Sequence, residues 1–193
     1  MDTKNELTCR VNALKRRIWI TRKARIHASE RLAKGDFYSK LIMAYYSFAT
    51  LSFSIIELKI RHLPTIFKLS DVLLGVLLFG SAIYVNTLSF STRSAALKDC
   101  YLKLGKLELK IPSNSNLSDS QLSEISEEYN KILEGSENHS EYDYYSVAMN
   151  SHDNSISISA NEIFKYWGEK ILSWAFIIGM FTLPLLVGGW ALL

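Results

Sequence analysis

Apolar residues along this chain are concentrated in three long blocks, and strongly polar stretches separate the blocks. A helix needs about 20 mainly apolar residues to cross a bilayer core. Each block approaches or exceeds that length, so the pattern predicts three membrane-spanning helices, over residues 38–56, 72–91 and 171–193. Pro184 should kink the third span, and neighbouring groups must then satisfy the backbone carbonyl that proline frees.

Two of the spans are joined to amphipathic segments. Residues 5–35 place apolar side chains near heptad spacing among arginines and lysines, with a kink expected at Gly35–Asp36. No helix breaker follows the second span, so the second membrane helix is predicted to continue to Pro112. A further helix should begin at the Ser118–Gln121 capping box and stop at Gly135 in the left-handed conformation.

These elements predict an all-α membrane protein. It consists of a transmembrane helical hairpin extended by long cytoplasmic helices, plus a third C-terminal transmembrane helix. A Ser159–Glu162 capping box is expected to start the last helix, after a linker rich in Ser, Asn and Asp. The predicted division is 1–37 (basic amphipathic helix), 38–92 (hairpin), 93–145 (cytoplasmic helical segment), 146–160 (linker) and 161–193 (amphipathic start and third span).

Lysine and arginine are distributed unevenly around the spans. They are dense before the first span and after the second, whereas the 57–71 loop holds only Lys59, Arg61 and Lys68. Cytoplasmic flanks carry the excess of positive charge in membrane proteins. The N-terminus is therefore expected in the cytoplasm, and a third crossing then leaves the C-terminus on the outer face.

The sequence contains no motif that indicates catalysis. A phosphate-binding glycine loop, a metal-spaced cluster and a nucleophile elbow are all missing, and the four histidines are scattered. We therefore expect no enzyme activity, cofactor or metal. The basic first helix is better explained by anionic lipid than by nucleic acid, because its charges lie beside a membrane. The lipid bilayer is the expected partner, and direct nucleic-acid binding is not expected.

Small and polar residues inside the first two spans are candidates for span packing or pore lining. A single hairpin cannot enclose water, so a pore would require a homo-oligomer; packing of the three spans alone is the alternative. Asn86 is the most informative of them, because a carboxamide in lipid needs a partner. The candidates are Ser47, Thr50, Ser54, Gly75, Ala82, Asn86 and Ser89.

Several short stretches resemble the SLATT family, which comprises bacterial two-span membrane proteins associated with nucleotide-second-messenger and related defence genes. The resemblance covers roughly residues 8–150, so the third span departs from the two-span plan. The matching parts are the basic segment 16–25, the hairpin, Arg93 and Tyr101 after the second span, residues 129–133, and residues 137–139 with 143–144.

The resemblance implies a bacterial inner-membrane effector of an antiphage system, which oligomerises, permeabilises the membrane and causes growth arrest or cell death. Some relatives stand beside nucleotidyltransferases and others beside reverse transcriptases, so such an enzyme is an expected cytoplasmic partner. The alternative is a membrane anchor that recruits a defence enzyme through its cytoplasmic helices.

Six polar residues of the cytoplasmic part are candidates for a regulatory or subunit contact. The alternative for the 137–143 stretch is a capped polar turn, in which Asn and Asp bond the local backbone. The candidates are Arg93, Tyr101, Glu137, Asn138, His139 and Asp143.

Overall fold

A computed structural model of the chain describes residues 2–60, 62–112, 117–150 and 159–192. Within these ranges all regular structure is α-helical and no strand occurs, so the predicted fold class is confirmed. Three helical stretches are long and apolar enough to cross a membrane. The helices are α1 (Asp2–Lys59), α2 (Thr65–Thr87), α3 (Phe90–Lys110), α4 (Asp119–Glu134), α5 (Glu141–Asn150) and α6 (Ala160–Leu192).

The chain divides into two compact units. The helical unit contains the residues up to Ala33 together with Ser91–Tyr166. The membrane unit contains Lys34–Phe90 together with the chain from Trp167 onward, which is where the apolar blocks lie. Helix α1 contributes to both units and is continuous, so the kink predicted at Gly35–Asp36 does not interrupt the helix.

The helical unit is built around one apolar cluster. Ile18 of α1 and Leu104 and Leu107 of α3 are fully buried in this cluster, and α4 adds Leu122 and Ile125. The α1 members are those that the heptad pattern predicts, because residues three and four apart share one face of a helix. The other members are Val11, Leu14, Cys100, Ile111, Leu117 and Tyr129.

Both predicted capping boxes are present. The Ser118 hydroxyl accepts the Gln121 N–H, and the Gln121 side chain accepts the Ser118 N–H at 2.9 Å. At the start of α6, the Ser159 N–H donates to Glu162 at 2.7 Å in the same way. The left-handed stop at Gly135 was wrong, because its φ of −77° and ψ of −1° are right-handed. Helix α4 ends in a right-handed turn, which requires no positive φ.

The prediction that the second membrane helix continues to Pro112 was wrong. Helix α2 ends at Thr87, Ser89 adopts a positive φ of 49°, and a separate helix starts at Phe90. The Leu88 N–H bonds to carbonyls three and four residues earlier, so the last turn tightens before the backbone changes direction. Glycine and asparagine are the usual residues at a positive φ. Since serine stands here instead, the break has no sequence signal.

Helix α2 also begins earlier than the predicted span. Residues 65–71 were expected in the outer loop, but they lie in α2, directly after Pro64. Proline suits this boundary, because the first N–H groups of a helix have no intrahelical partner and proline has no N–H to leave unpaired. Lys68 and Asp71 interrupt the apolar run, which is why hydropathy placed the span later.

Helix α5 was not predicted. A polar turn was expected at 137–143 and a linker at 146–160, whereas residues 146–150 lie in α5. The linker residues 151–158 lie outside the described part of the chain. The Ser140 carbonyl accepts the first N–H bonds of the helix, so Ser140 is the residue at which α5 starts. Asp143, three residues later, is not the Glu or Gln of the usual capping box.

In the membrane unit, α1 and α2 run antiparallel. The rings of Phe53 and Phe67 lie 5.3 Å apart at one end of the pair. At the other end, a Cβ on Gly35 would lie 3.8 Å from the Phe90 ring. This arrangement is the helical hairpin that the sequence predicts.

Helix α6 runs parallel to α1. The rings of Tyr38 and Trp174, both near the start of the unit, lie 6.3 Å apart. Further along both helices, a Cβ on Gly188 would approach the Phe53 ring to 3.2 Å, so glycine is what allows this close contact. The three helices therefore alternate in direction, as three successive membrane crossings require.

Candidate functional site

Asp143 of α5 is fully buried, and Arg31 of α1 holds its carboxylate. Arg31 donates from Nε to Oδ1 and from Nη2 to Oδ2, both at 2.9 Å. Ser140 adds its backbone N–H at 3.0 Å and its hydroxyl at 2.7 Å, both to Oδ2. Four hydrogen bonds thus satisfy a carboxylate that has no access to water, which is the condition for burying a charge in a protein.

The same contacts set the charge state of the pair. Burial raises the pKa of the Asp143 carboxyl, but the hydrogen bonds from Arg31 and Ser140 outweigh it and leave that pKa below its usual value. The hydrogen bond to Asp143 raises the pKa of the Arg31 guanidinium. Both groups are therefore charged at neutral pH, and the contact is a two-point ion pair.

Two further arginines hold the segment between α4 and α5. Arg93 of α3 donates from Nε to both carboxylate oxygens of Glu137, at 2.9 and 3.0 Å. Arg25 of α1, only 1% exposed, donates to the Ser136 hydroxyl. We call residues 136–143, with the three arginines that hold them, the arginine latch.

The latch contains five of the six predicted contact residues, all except Tyr101. Arg93 and Glu137 form an ion pair, and Asp143 is the buried end of the other ion pair. His139 lies between Glu137 and Asp143 in the chain and is half-buried. Asn138 is exposed, and Tyr101 is half-buried on α3. The capped-turn alternative also describes part of the site, because Asp143 accepts the Ser140 N–H.

Sequence reasoning missed two arginines of the latch. The sequence does mark Arg25, because it falls at a heptad position of α1 that apolar residues otherwise occupy, and a charge there needs a buried partner. Arg31 had none, since 112 residues separate it from Asp143.

His139 makes the latch sensitive to acid. Burial, and next the charge of Arg25, lower the pKa of the imidazole below its ordinary value of 6.5, although Asp143 acts in the other direction. Because the pKa of His139 is lower in the folded chain, the unfolded chain takes up this proton first as the pH falls. The protonation of His139 therefore has no effect on stability above pH 6.5, and it lowers the free energy of unfolding as the pH drops from 6.5 towards the folded pKa.

We therefore expect the backbone amides of α5 to exchange hydrogen through more frequent opening at pH 5.5 than at pH 7.5, after correction for the intrinsic rate. His139→Gln should remove this difference. An equal pH dependence in the variant would contradict the assignment to His139.

An open cavity of about 300 Å³ adjoins the latch. Among the described residues, no three His, Cys, Asp or Glu side chains are grouped as metal ligands. The cavity is formed by the latch segment and the residues next to it on α5 and α6. Its lining residues are His139, Ser140, Glu141, Tyr144, Tyr145 and Glu162.

The predicted span residues of α1 divide into two groups. The hydroxyls of Ser47 and Thr50 donate to backbone carbonyls three or four residues earlier in their own helix. Such bonds satisfy a hydroxyl in lipid without a partner helix. The Ser54 hydroxyl donates instead to Asp71 of α2 at 2.7 Å, so it joins the two helices of the hairpin.

On α2, the predicted small and polar residues form an uncovered face. A Cβ on Gly75 would meet no atom within 4 Å, and Ala82 and Asn86 are exposed. Seven-residue spacing aligns Gly75 with Ala82, and Asn86 lies one turn further on. We call these three residues the open α2 face. Ser89, the last predicted residue, lies outside α2, in the break before α3.

Hydrogen bonds join the third span to the first span close to Pro184 of α6. Pro184 lies inside α6 and lacks the N–H that would bond to the Met180 carbonyl. The buried Tyr46 hydroxyl of α1 donates to that carbonyl at 2.9 Å, and the Tyr45 hydroxyl donates to the Phe181 carbonyl at 3.1 Å. A neighbouring group thus satisfies the freed carbonyl, as expected for proline in a membrane helix.

One protein family matches almost the whole chain. The match is to the SMODS and SLOG-associating 2TM effector domain family 5, SLATT family 5, over residues 8–190. The chain belongs to this family. The resemblance inferred from short stretches of sequence is thereby confirmed. No curated protein and no solved structure matches the chain.

The SLATT match extends the domain beyond what the sequence stretches indicated. The expected limit near residue 150 was too early, because the match runs to residue 190 and contains nearly all of α6. The third span is therefore part of the SLATT domain in this chain, and the Tyr46–Met180 bond joins it to the hairpin. Membership identifies the chain as a membrane effector domain of the kind associated with bacterial conflict systems.

Proposed function

We propose that this SLATT protein assembles in the bacterial inner membrane into an oligomer that conducts ions, and that the resulting loss of membrane potential arrests growth. The observation that carries the proposal is the open α2 face. Its glycine and alanine allow another helix to approach closely, and the exposed Asn86 amide requires a hydrogen-bond partner or water. A second copy of the chain supplies the close contact, and a central water path hydrates the amide.

The proposed topology follows from the charged flanks. The N-terminus and the helical unit lie in the cytoplasm, where the lysines and arginines are concentrated, and α6 ends on the outer face. In this orientation the arginine latch is accessible to a regulator made in the cell. A nucleotidyltransferase or a reverse transcriptase encoded nearby is the candidate regulator, and it acts by holding or releasing the latch.

The proposal is tested by the membrane potential of bacteria that express the chain with its genomic neighbours, followed with a voltage-sensitive dye after triggering. We expect depolarisation that precedes growth arrest. Asn86→Leu should slow the depolarisation at least about tenfold, because it removes the amide from the water path. Ser81→Leu is the matched control, since Ser81 is an exposed polar residue on another face of α2.

Each other outcome has a defined meaning. Equal slowing by Asn86→Leu and Ser81→Leu would show that conduction does not depend on the open α2 face in particular. An unchanged potential in triggered cells, with the protein present in the membrane, would overturn ion conduction. The chain would then be a membrane anchor that recruits a cytoplasmic enzyme through its helical unit.

A further inference from the structure

The outer face of α3 carries exposed apolar side chains that do not pack in the apolar cluster of the helical unit. Leu102 and Leu109 are 51% and 87% exposed, on the side of α3 opposite the buried cluster. Lys98 and Lys106 lie on the same side, because the spacing of 98, 102, 106 and 109 follows the helical repeat. Neither lysine has an ionic partner among the residues that the structure describes, whereas Lys103 and Lys110 are paired with Asp99 and Glu128.

The outer face of α4 has the opposite charge. Glu124, Glu127 and Glu134 are exposed and follow the helical repeat on the side away from the cluster, with Lys131 among them. None of the three glutamates is paired with a cation in the described chain. The face therefore has a net charge of about −2, whereas the two unpaired lysines give the α3 face a charge of about +2.

The two faces carry opposite charges and are also similar in length. At 1.5 Å per residue, Lys98 and Lys106 are about 12 Å apart along α3, and Glu127 and Glu134 are about 10 Å apart along α4. Both faces point away from one shared core, so they cannot meet within a single copy. Exposed leucines of α3 could pack on the aliphatic stems of the glutamates, as long charged side chains permit.

We infer that a second copy of this chain docks its acidic α4 face on the leucine- and lysine-bearing α3 face of the first. The inference rests on the proposed oligomer and names its contact in the helical unit. Because the two faces differ, the contact is heterologous, and repetition of one rotation closes such contacts into a ring. A symmetric α3–α3 contact is disfavoured, since it would bring lysines together.

The test is charge reversal in the full chain, with oligomers measured by chemical cross-linking in native membranes over a range of expression levels. Lys98→Glu with Lys106→Glu should weaken association at least about tenfold, and so should Glu127→Lys with Glu134→Lys. All four substitutions together recreate opposite charges on the two faces, and they should restore association to within about threefold of the wild type. Arg17→Glu with Lys23→Glu is the matched control, because it reverses the same charge on α1 and should have no effect.

The outcomes separate this contact from the oligomer itself. Wild-type association in both double variants would overturn the α3–α4 contact and leave an oligomer held by the membrane unit. Failure of the fourfold variant to recover would also overturn it, and would indicate an acidic partner protein or anionic lipid on the α3 face. A wild-type chain that stays monomeric in active membranes would overturn both the contact and the proposed function.

Discussion

Replacing Asp143 with asparagine is expected to destabilise the attachment of α5 by about 2–3 kcal/mol, because it leaves the buried end of the ion pair with hydrogen-bond donors that have no acceptor. The amide cannot accept both Arg31 hydrogen bonds, and its NH2 group would face another donor. Water would solvate part of the Arg31 guanidinium, which is 42% exposed, so the cost lies mainly at the fully buried position 143. The measurement is native-state hydrogen exchange of the α5 amides, where 3 kcal/mol corresponds to a roughly hundredfold increase in opening.

The control for this prediction is the second ion pair of the latch. Arg93 and Glu137 are 41% and 37% exposed, so water solvates both groups when the pair is broken. Glu137→Gln should therefore cost less than about 1 kcal/mol. Similar exchange in the two variants would contradict the distinction between a buried anchor and a surface pair.

Replacing Tyr46 with phenylalanine is expected to lower the free energy of unfolding of the membrane unit by about 1–2 kcal/mol, because it leaves the Met180 carbonyl without a donor. Pro184→Ala supplies the missing N–H from within α6. In the Pro184→Ala background, Tyr46→Phe should therefore cost almost nothing. The measurement is a double-mutant cycle, with unfolding of the full chain followed in mixed detergent micelles.

Tyr45→Phe is the matched control for the cycle. The Phe181 carbonyl, to which Tyr45 donates, has the N–H of Leu185 four residues later, so it depends less on the tyrosine. If Tyr46→Phe costs the same with and without Pro184, the hydroxyl does not replace the bond that proline removes.

The parts of the fold that were predictable depend on residues close together in the chain. The three spans follow from apolar block length, the α1 face of the helical core from heptad spacing, and the start of α4 from the Ser118–Gln121 capping box. Each signal lies within a few turns of one helix, where the geometry is fixed by 3.6 residues per turn. The break at Ser89 is the exception, because a serine at positive φ has no compositional marker.

The site was less predictable because its contacts are distant in sequence. Asp143 was a candidate from its turn, but its partner Arg31 becomes visible only when α1 and α5 are packed together. Pro184 indicated that some donor was needed, and the register between α1 and α6 decides that Tyr46 supplies it. Charge alone could not distinguish the buried Arg25 from the solvated arginines of the same helix.

The most direct test of the account is potassium efflux from liposomes that contain the purified full chain. Efflux should rise more steeply than in proportion to the number of chains per liposome, because the conducting species is an oligomer. Efflux should also be slower for Asn86→Leu than for Ser81→Leu. Liposomes that carry inserted protein at high density and still retain their potassium would contradict the claim that this SLATT effector permeabilises membranes.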